Sequence, residues 1–172
     1  LILEILPELL SNFEIIHQTG PKNYQQVKTE AEAILQENLK KYYHPLPFLN
    51  EYQLKHAFAA CDFVVSRAGS GVLFEIAATG KGAILIPLPH AAQNHQLKNA
   101  YAFAKSGGGE VIEEENLTPH FFLERLKYFL SRKDILKTME PIFQNLIQDK
   151  DLFWRLIFGF PLKLEQIKWI AE

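Results

Sequence analysis

The sequence predicts an α/β protein in which helices flank a Rossmann-like, doubly wound parallel sheet. The stretch 62–99 alternates strand, glycine turn, helix, strand, polar loop and helix, and reads DFVVSRAGSGVLFEIAATGKGAILIPLPHAAQNHQLKN. Two strands joined through a helix form a βαβ unit, in which the strands are parallel and the crossover is right-handed. Because similar strand and helix patterns flank this stretch, we expect the sheet to extend beyond it.

The part of the chain before this stretch is predicted to supply further helices and strands. Apolar residues recur at helical spacing in 1–10, which Pro7 interrupts, and again on one face of 23–38, which follows Pro21. In chain order we predict a helix at 1–10, a strand at 13–17, a helix at 23–38, a strand at 39–43, an extended loop at 44–47 and a helix at 51–60.

Glycine and proline punctuate the central stretch itself. Gly69 and Gly71 allow the backbone to come close to a ligand. Gly80 stands where a helix would end, and Pro87 closes an apolar run that is typical of a buried strand. We therefore predict a strand at 62–66, a turn at 67–71, a helix at 72–79 and a strand at 83–86.

After the central stretch the pattern becomes more helical. Thr118 suits the N-cap of a helix and Pro119 suits its first position. We predict a helix at 96–105, ended by Ser-Gly-Gly-Gly, a strand at 110–112, a helix at 119–131, and helical segments at 133–148 and 151–158.

Composition narrows the function classes. With 172 residues and 48% hydrophobic content, the chain is long enough to bury a core as one domain. Its net charge of −2 gives no electrostatic reason to expect a nucleic-acid partner. The single cysteine, Cys61, excludes an intrachain disulfide and fits a reducing compartment. The sequence shows neither a signal peptide nor an apolar run of about 18 residues.

Glu75 is the first candidate for ligand binding. Ligands of open parallel sheets bind outside the carboxyl ends of the strands, and the predicted helix carrying Glu75 starts there. Helical side chains lean towards the helix N-terminus, so the Glu75 carboxylate could reach that crevice. A carboxylate can accept hydrogen bonds from two neighbouring hydroxyls, such as those of a ribose. The alternative is a solvated helix residue.

The turn before this helix supplies candidates for binding an anion. Arg67, Gly69 and Ser70 lie between the first predicted strand and the helix N-terminus, where free N–H groups suit a phosphate. Arg67 could bind that phosphate or pair with a neighbouring carboxylate, and the sequence leaves both roles open.

These motifs resemble a known family. SRAGSG, EIAATG, IPLP and HQLKNA, with HQTG at 17–20 and PFL at 47–49, are similar to the nucleotide-sugar site of the MurG family. That family comprises the bacterial transferases that move N-acetylglucosamine (GlcNAc) from UDP-GlcNAc onto lipid I, the undecaprenyl-pyrophosphoryl-MurNAc-pentapeptide, in peptidoglycan synthesis. The resemblance covers most of residues 1–140 and fades afterwards.

The resemblance implies a domain organisation. Residues 1–150 would form the UDP-sugar-binding C-terminal domain, the C-terminal half of a GT-B glycosyltransferase, without its first strand and glycine-rich diphosphate loop. Residues 151–172 would form a helical segment that returns to an N-terminal domain, although its aromatic residues also suit core packing or contact with lipid. Because the chain begins with Leu1 and has its only methionine at Met139, we interpret it as a fragment.

The resemblance also assigns roles to individual residues. Gln96, helped by His95, would contact the hydroxyls of the sugar, since an amide both donates and accepts hydrogen bonds. The backbone of Leu49 would pair with the uracil. His17 and Gln18 lie at a predicted strand end, where a ligand role and a structural role are both open.

The implied function is donor binding in an inverting GlcNAc transferase, a hexosyltransferase. The acceptor site for lipid I and the catalytic base would lie in the missing N-terminal domain, so we assign no catalytic residue here and expect residues 1–172 alone to be inactive. We predict no cofactor and no protein-bound metal. The full-length protein would lie peripherally on the cytoplasmic face of the bacterial inner membrane.

Other functions stay open. A UDP-GlcNAc 2-epimerase, a glycolipid transferase or one subunit of a split dolichol-linked GlcNAc transferase would share this fold and the ribose carboxylate. A non-catalytic module that binds nucleotide sugars, a different class of protein, would be distinguished by binding without turnover.

Overall fold

The computed structural model describes residues 1–89 and 94–131, with the side chain of Leu130 excepted. Within them the chain divides into two compact units. The first comprises Leu1–Ala60 and Thr118–Lys127, and the second comprises Cys61–Leu117 and 128–131. Each unit is built around its own parallel sheet.

The order of elements follows the predicted alternation. The helices are α1 (Ile2–Leu10), α2 (Tyr24–Ile34), α3 (Glu37–Lys40), α4 (Glu51–Ala60), α5 (Ser70–Ala78), α6 (His95–Lys105) and α7 (Pro119–Ser131). The strands are β1 (Ile15–Gln18), β2 (Tyr43–Leu46), β3 (Phe63–Ser66), β4 (Gly82–Leu85) and β5 (Gly109–Val111). Helices flanking parallel strands confirm the predicted fold class.

In the first unit β1 pairs in parallel with β2, with Ile15 opposite Tyr43. The helices α1 and α2 supply the core beside this pair. Its buried members are Leu6, Leu10, Ala31, Leu35 and Tyr43. On α1 the buried side chains recur at intervals of three and four residues, which is the spacing that the sequence analysis identified.

The predicted strand at 39–43 was wrong, and so was the predicted loop at 44–47. The short helix α3 and a turn precede β2, and β2 itself contains Pro45. Pro45 is tolerated because only every second residue of β2 turns its backbone N–H and C=O towards β1. The N–H groups of Ile15 and Thr19, for example, donate to the carbonyls of Tyr42 and Leu46. Pro45 is one of the residues whose backbone points away from β1, so the pairing of β1 with β2 needs no N–H at this position.

In the second unit β4 lies between β3 and β5, and both pairings are parallel. All of β4 is buried, which is typical of a central strand covered on both faces. The connection from β3 to β4 runs through α5, whose Leu73, Ile76 and Ala77 are buried. Gly80, at φ 63°, follows α5 in the left-handed conformation that favours glycine and confirms the predicted helix end.

Several predictions concern residues outside the described ranges. The helical segments at 133–148 and 151–158 and the segment 151–172 all lie there. In the ranges that are described, none of the helices is both long enough and apolar enough to cross a membrane.

Two glycines of the second unit differ in the space around them, and this difference leads to a test of stability. A Cβ added to Gly109 would overlap the carbonyl oxygen of Ala83 in the neighbouring strand, whereas one added to Gly71 in α5 would meet nothing within 4 Å. We expect Gly109→Ala to lower the free energy of unfolding by roughly 1–3 kcal/mol, the usual cost of overpacking. Gly71→Ala should raise it by roughly 0.5–1 kcal/mol, because alanine is the better helix former. Urea denaturation measures both, and equal stabilities would contradict this packing of β4 against β5.

Candidate functional site

The carboxyl ends of β3, β4 and β5 meet at one edge of the second unit's sheet, because the strands are parallel. Three connections leave this edge: the turn from β3 into α5, the chain after β4 that leads to α6, and a short 3₁₀ turn, Glu114–Asn116, after β5. Ligands of parallel sheets bind at such an edge. Of the predicted site residues, Arg67, Gly69, Ser70, Glu75, His95 and Gln96 lie on these connections and the helices that they lead into.

The N-terminus of α5 is open. Gly69 is its N-cap, and no side chain caps the helix. A Cβ placed on Gly69 or on Gly71 would meet nothing within 4 Å. The first N–H groups of a helix have no partner within the helix, so those after Gly69 can receive an anion that approaches closely. Ser70, half-buried, begins the helix beside them.

Arg67 is paired. Its Nη1 donates to the carbonyl of Ile86 at 3.3 Å and forms an ion pair with a carboxylate oxygen of Glu114. The sequence left two roles open for Arg67, phosphate binding and pairing with a carboxylate, and the structure shows the pairing with a carboxylate. The side chains of Arg67 and Glu114 are 48% and 41% exposed, so water and other anions can reach the pair.

Glu75 is exposed on α5, and among the described residues no side chain pairs with its carboxylate. The helix begins two residues earlier than predicted, at Ser70. A rise of about 1.5 Å per residue therefore puts Glu75 roughly 7–8 Å along the axis from Ser70. One helix thus carries two separate groups, an open N-terminus and a carboxylate further along.

The start of α6 holds the next candidates. His95 is exposed, and Asn94 before it adopts the left-handed conformation, with φ 56°. The Oε1 atom of Gln96 accepts a hydrogen bond from the Leu88 N–H at 3.0 Å. This bond ties α6 to the chain after β4 and sets the orientation of the amide, since its Nε2 then points away from Leu88. Asn99 donates to the carbonyl of Ala68 at 3.4 Å, so it satisfies a backbone group.

A contact that sequence reasoning missed joins α6 to the chain after β5. The hydroxyl of Tyr101 donates to Glu113 at 2.5 Å, and this hydrogen bond raises the pKa of Tyr101. Glu113 precedes Glu114, the partner of Arg67. The only hint in the sequence was the acidic run after the predicted strand at 110–112.

The first unit contains the remaining candidates. The Nδ1 atom of His17 lies 2.7 Å from the Tyr43 hydroxyl, and burial lowers the pKa of His17 and raises that of Tyr43 to about 12. The Oε1 atom of Gln18 accepts from the N–H of Leu49 at 2.8 Å. Both residues therefore have structural partners, and Gln18 already uses the Leu49 N–H that could otherwise pair with a base.

Metal binding is not indicated by the geometry of the described ranges. In 1–89 and 94–131, no three or more His, Cys, Asp or Glu side chains are grouped so that they could hold a metal ion.

Comparison with known proteins decides the family. Residues 1–151 match the glycosyltransferase family 28 C-terminal domain. The chain belongs to this family. Among curated family members, a UDP-N-acetylglucosamine--N-acetylmuramyl-(pentapeptide) pyrophosphoryl-undecaprenol N-acetylglucosamine transferase of Thermodesulfovibrio yellowstonii is 35% identical over 170 residues, which is 99% of this chain and 41% of the relative. The transferase of the same name from Syntrophotalea carbinolica is 37% identical over 151 residues, or 84% of this chain and 40% of the relative.

Two solved structures are also similar to this chain. Acinetobacter baumannii MurG matches with a TM-score of 0.63 and 25% identity, over 84% of this chain and 41% of that one. A glycotransferase of kitacinnamycin, at 14% identity and a TM-score of 0.63 over 90% of this chain and 36% of that one, shares the fold. The resemblance to MurG drawn from the motifs is confirmed, and the chain spans about two fifths of the length of the curated relatives above.

The buried His17 leads to a prediction about pH. Because its folded pKa lies below the usual 6.5, the unfolded chain binds a proton at a higher pH than the folded one. The stability due to neutral His17 is therefore complete above pH 6.5 and is lost as the pH falls through the folded pKa. We expect wild type to lose stability below pH 6.5 faster than His17→Gln, by at most about 1.4 kcal/mol per pH unit. Urea denaturation across that range tests this, and parallel slopes would contradict it.

Proposed function

We propose that this family 28 domain binds the donor UDP-GlcNAc in an inverting transferase that adds GlcNAc to lipid I and yields lipid II. The observation that carries the proposal is the pairing, on one helix, of an uncapped glycine-lined N-terminus with the Glu75 carboxylate, which has no partner in the described residues. A nucleoside diphosphate offers the two matching groups, a phosphate and a pair of ribose hydroxyls. The names of the curated relatives supply the sugar and the acceptor.

In this proposal different residues bind different parts of the donor. The N–H groups after Gly69, with Ser70 and Arg67, bind the diphosphate, and Glu75 accepts from the ribose hydroxyls. Gln96, whose oxygen is held by the Leu88 N–H, presents its amide N–H groups to the sugar hydroxyls, with His95 beside it.

The chemical contribution of these residues is to stabilise the leaving group. The acceptor hydroxyl oxygen attacks the anomeric carbon, the bond from that carbon to the β-phosphate oxygen breaks, and UDP departs with the electron pair. Negative charge builds on the diphosphate as the bond breaks. The helix N-terminus and Arg67 would stabilise that charge more in the transition state than in the ground state. The proton of the acceptor goes to a base outside residues 1–172, and no cofactor or bound metal is needed.

The location follows from the acceptor. The names of the curated relatives include an undecaprenol-linked acceptor, and a lipid-linked acceptor supports a reaction at a membrane surface. We therefore propose that the intact protein works peripherally at the cytoplasmic face of the bacterial plasma membrane, with residues 1–150 as its UDP-sugar-binding domain.

Glu75→Ala tests the ribose assignment. Loss of a hydrogen-bonded charged acceptor should weaken UDP-GlcNAc binding to the intact protein by about 1.5–3 kcal/mol. Isothermal titration calorimetry measures this, with Glu32→Ala as the matched control because Glu32 is another exposed helical glutamate, on α2 of the first unit. Unchanged affinity in a folded Glu75→Ala protein, or an equal loss in the control, would contradict the assignment.

Gln96→Glu tests whether the amide group of Gln96 donates hydrogen bonds to the sugar hydroxyls. The variant keeps an oxygen for the Leu88 N–H but removes the amide donor, so the connection after β4 should stay in place. Relative to UDP, binding of UDP-GlcNAc should weaken by about 0.5–1.5 kcal/mol, the worth of one hydrogen bond. A competition assay with both ligands measures this difference directly. Because UDP carries more negative charge than UDP-GlcNAc, repulsion by the added carboxylate would act against the expected difference and cannot produce it. An equal change for both would place Gln96 in the scaffold or on the nucleotide.

A further inference from the structure

The ion pair between Arg67 and Glu114 crosses the edge at which the proposed donor binds. Arg67 follows β3, Ile86 follows β4 and Glu114 lies after β5, so the guanidinium reaches from the end of the first of these strands to residues that follow the other two. The turn carrying Glu114 is also fastened to α6, where Tyr101 donates to the adjacent Glu113 at 2.5 Å. The carboxylate that neutralises Arg67 therefore sits on an anchored turn.

The charges at this edge oppose a second anion. Glu113, Glu114 and Glu115 are consecutive, so the turn after β5 carries three acidic side chains, of which Glu114 pairs with Arg67. A phosphate and a carboxylate within about 4 Å of each other repel, which makes simultaneous contact of both with Arg67 unfavourable. At 48% and 41% exposure the pair is weak enough to exchange partners, since exposed ion pairs contribute about 0.2–1 kcal/mol.

We propose that Glu114 competes with the donor diphosphate for Arg67. The diphosphate must displace Glu114 to bind the guanidinium, and Glu114 pairs with the guanidinium again when the nucleoside diphosphate leaves. The proposal rests on the proposed function, because it takes the diphosphate to be the anion that Arg67 binds. Glu114 then lowers the affinity for UDP, the product, and so favours its release. It is a residue that acts through Arg67 and does not touch the donor.

Calorimetry on the intact protein with UDP and with uridine tests this exchange. Glu114→Gln keeps the size of the side chain and removes its charge, so we expect UDP to bind roughly two- to five-fold more tightly, the fold-change that corresponds to an exposed ion pair. Uridine, which has no phosphate, should bind equally to both proteins. Glu115→Gln is the matched control, because it removes the neighbouring charge from an exposed side chain of the same turn. In an Arg67→Ala background, Glu114→Gln should bring no tightening.

The outcomes separate the alternatives. Weaker UDP binding by Glu114→Gln would show that Glu114 positions Arg67, and would overturn the competition. Equal tightening by Glu115→Gln, or of uridine, would trace the effect to general charge or to the nucleoside and would overturn it as well. If wild type binds UDP and Glu114→Gln binds it no better, the exchange fails while the proposed function stands. If wild type binds neither ligand, the proposed function fails and the exchange falls with it.

Discussion

The parallel hydrogen bonding of β4 to both β3 and β5 is the constraint on which the candidate site depends. It brings three chain segments that are far apart in sequence to one edge, and it makes the helices that follow β3 and β4 begin there. Gly109 permits the close approach of β5, because a side chain at that position would overlap the carbonyl of Ala83. The candidate side chains lie on an edge that backbone pairing creates.

Local signals in the sequence predicted most of this frame, and long-range contacts explain what they missed. Gly80 and Pro119 mark helix ends through their own backbone preferences, which need no partner. The position of β2 depends on pairing with β1, so a local pattern placed the strand too early and took Pro45 for a loop residue. The partner of Arg67 lies 47 residues away, and nothing near Arg67 in the sequence singles out Glu114 among the glutamates.

The structure also changes how two sequence candidates are understood. Gln96 was expected to read a sugar with both ends of its amide, yet its oxygen is committed to the Leu88 N–H, which leaves the nitrogen as the donor. The N–H of Leu49 is likewise committed to Gln18. In each case one hydrogen bond within the protein already engages a group that the sequence had assigned to a ligand.

Binding of a nucleoside diphosphate at the carboxyl edge of the β3–β4–β5 sheet can be tested by titrating the intact, ¹⁵N-labelled protein with UDP and following the amide chemical shifts. We expect the largest changes on the first turn of α5, from Ser70 to Leu73, and around Glu75, while α2 in the first unit stays near its free shifts. Saturating UDP that leaves the α5 amides unmoved, or that shifts α2 more strongly, would contradict binding at this edge.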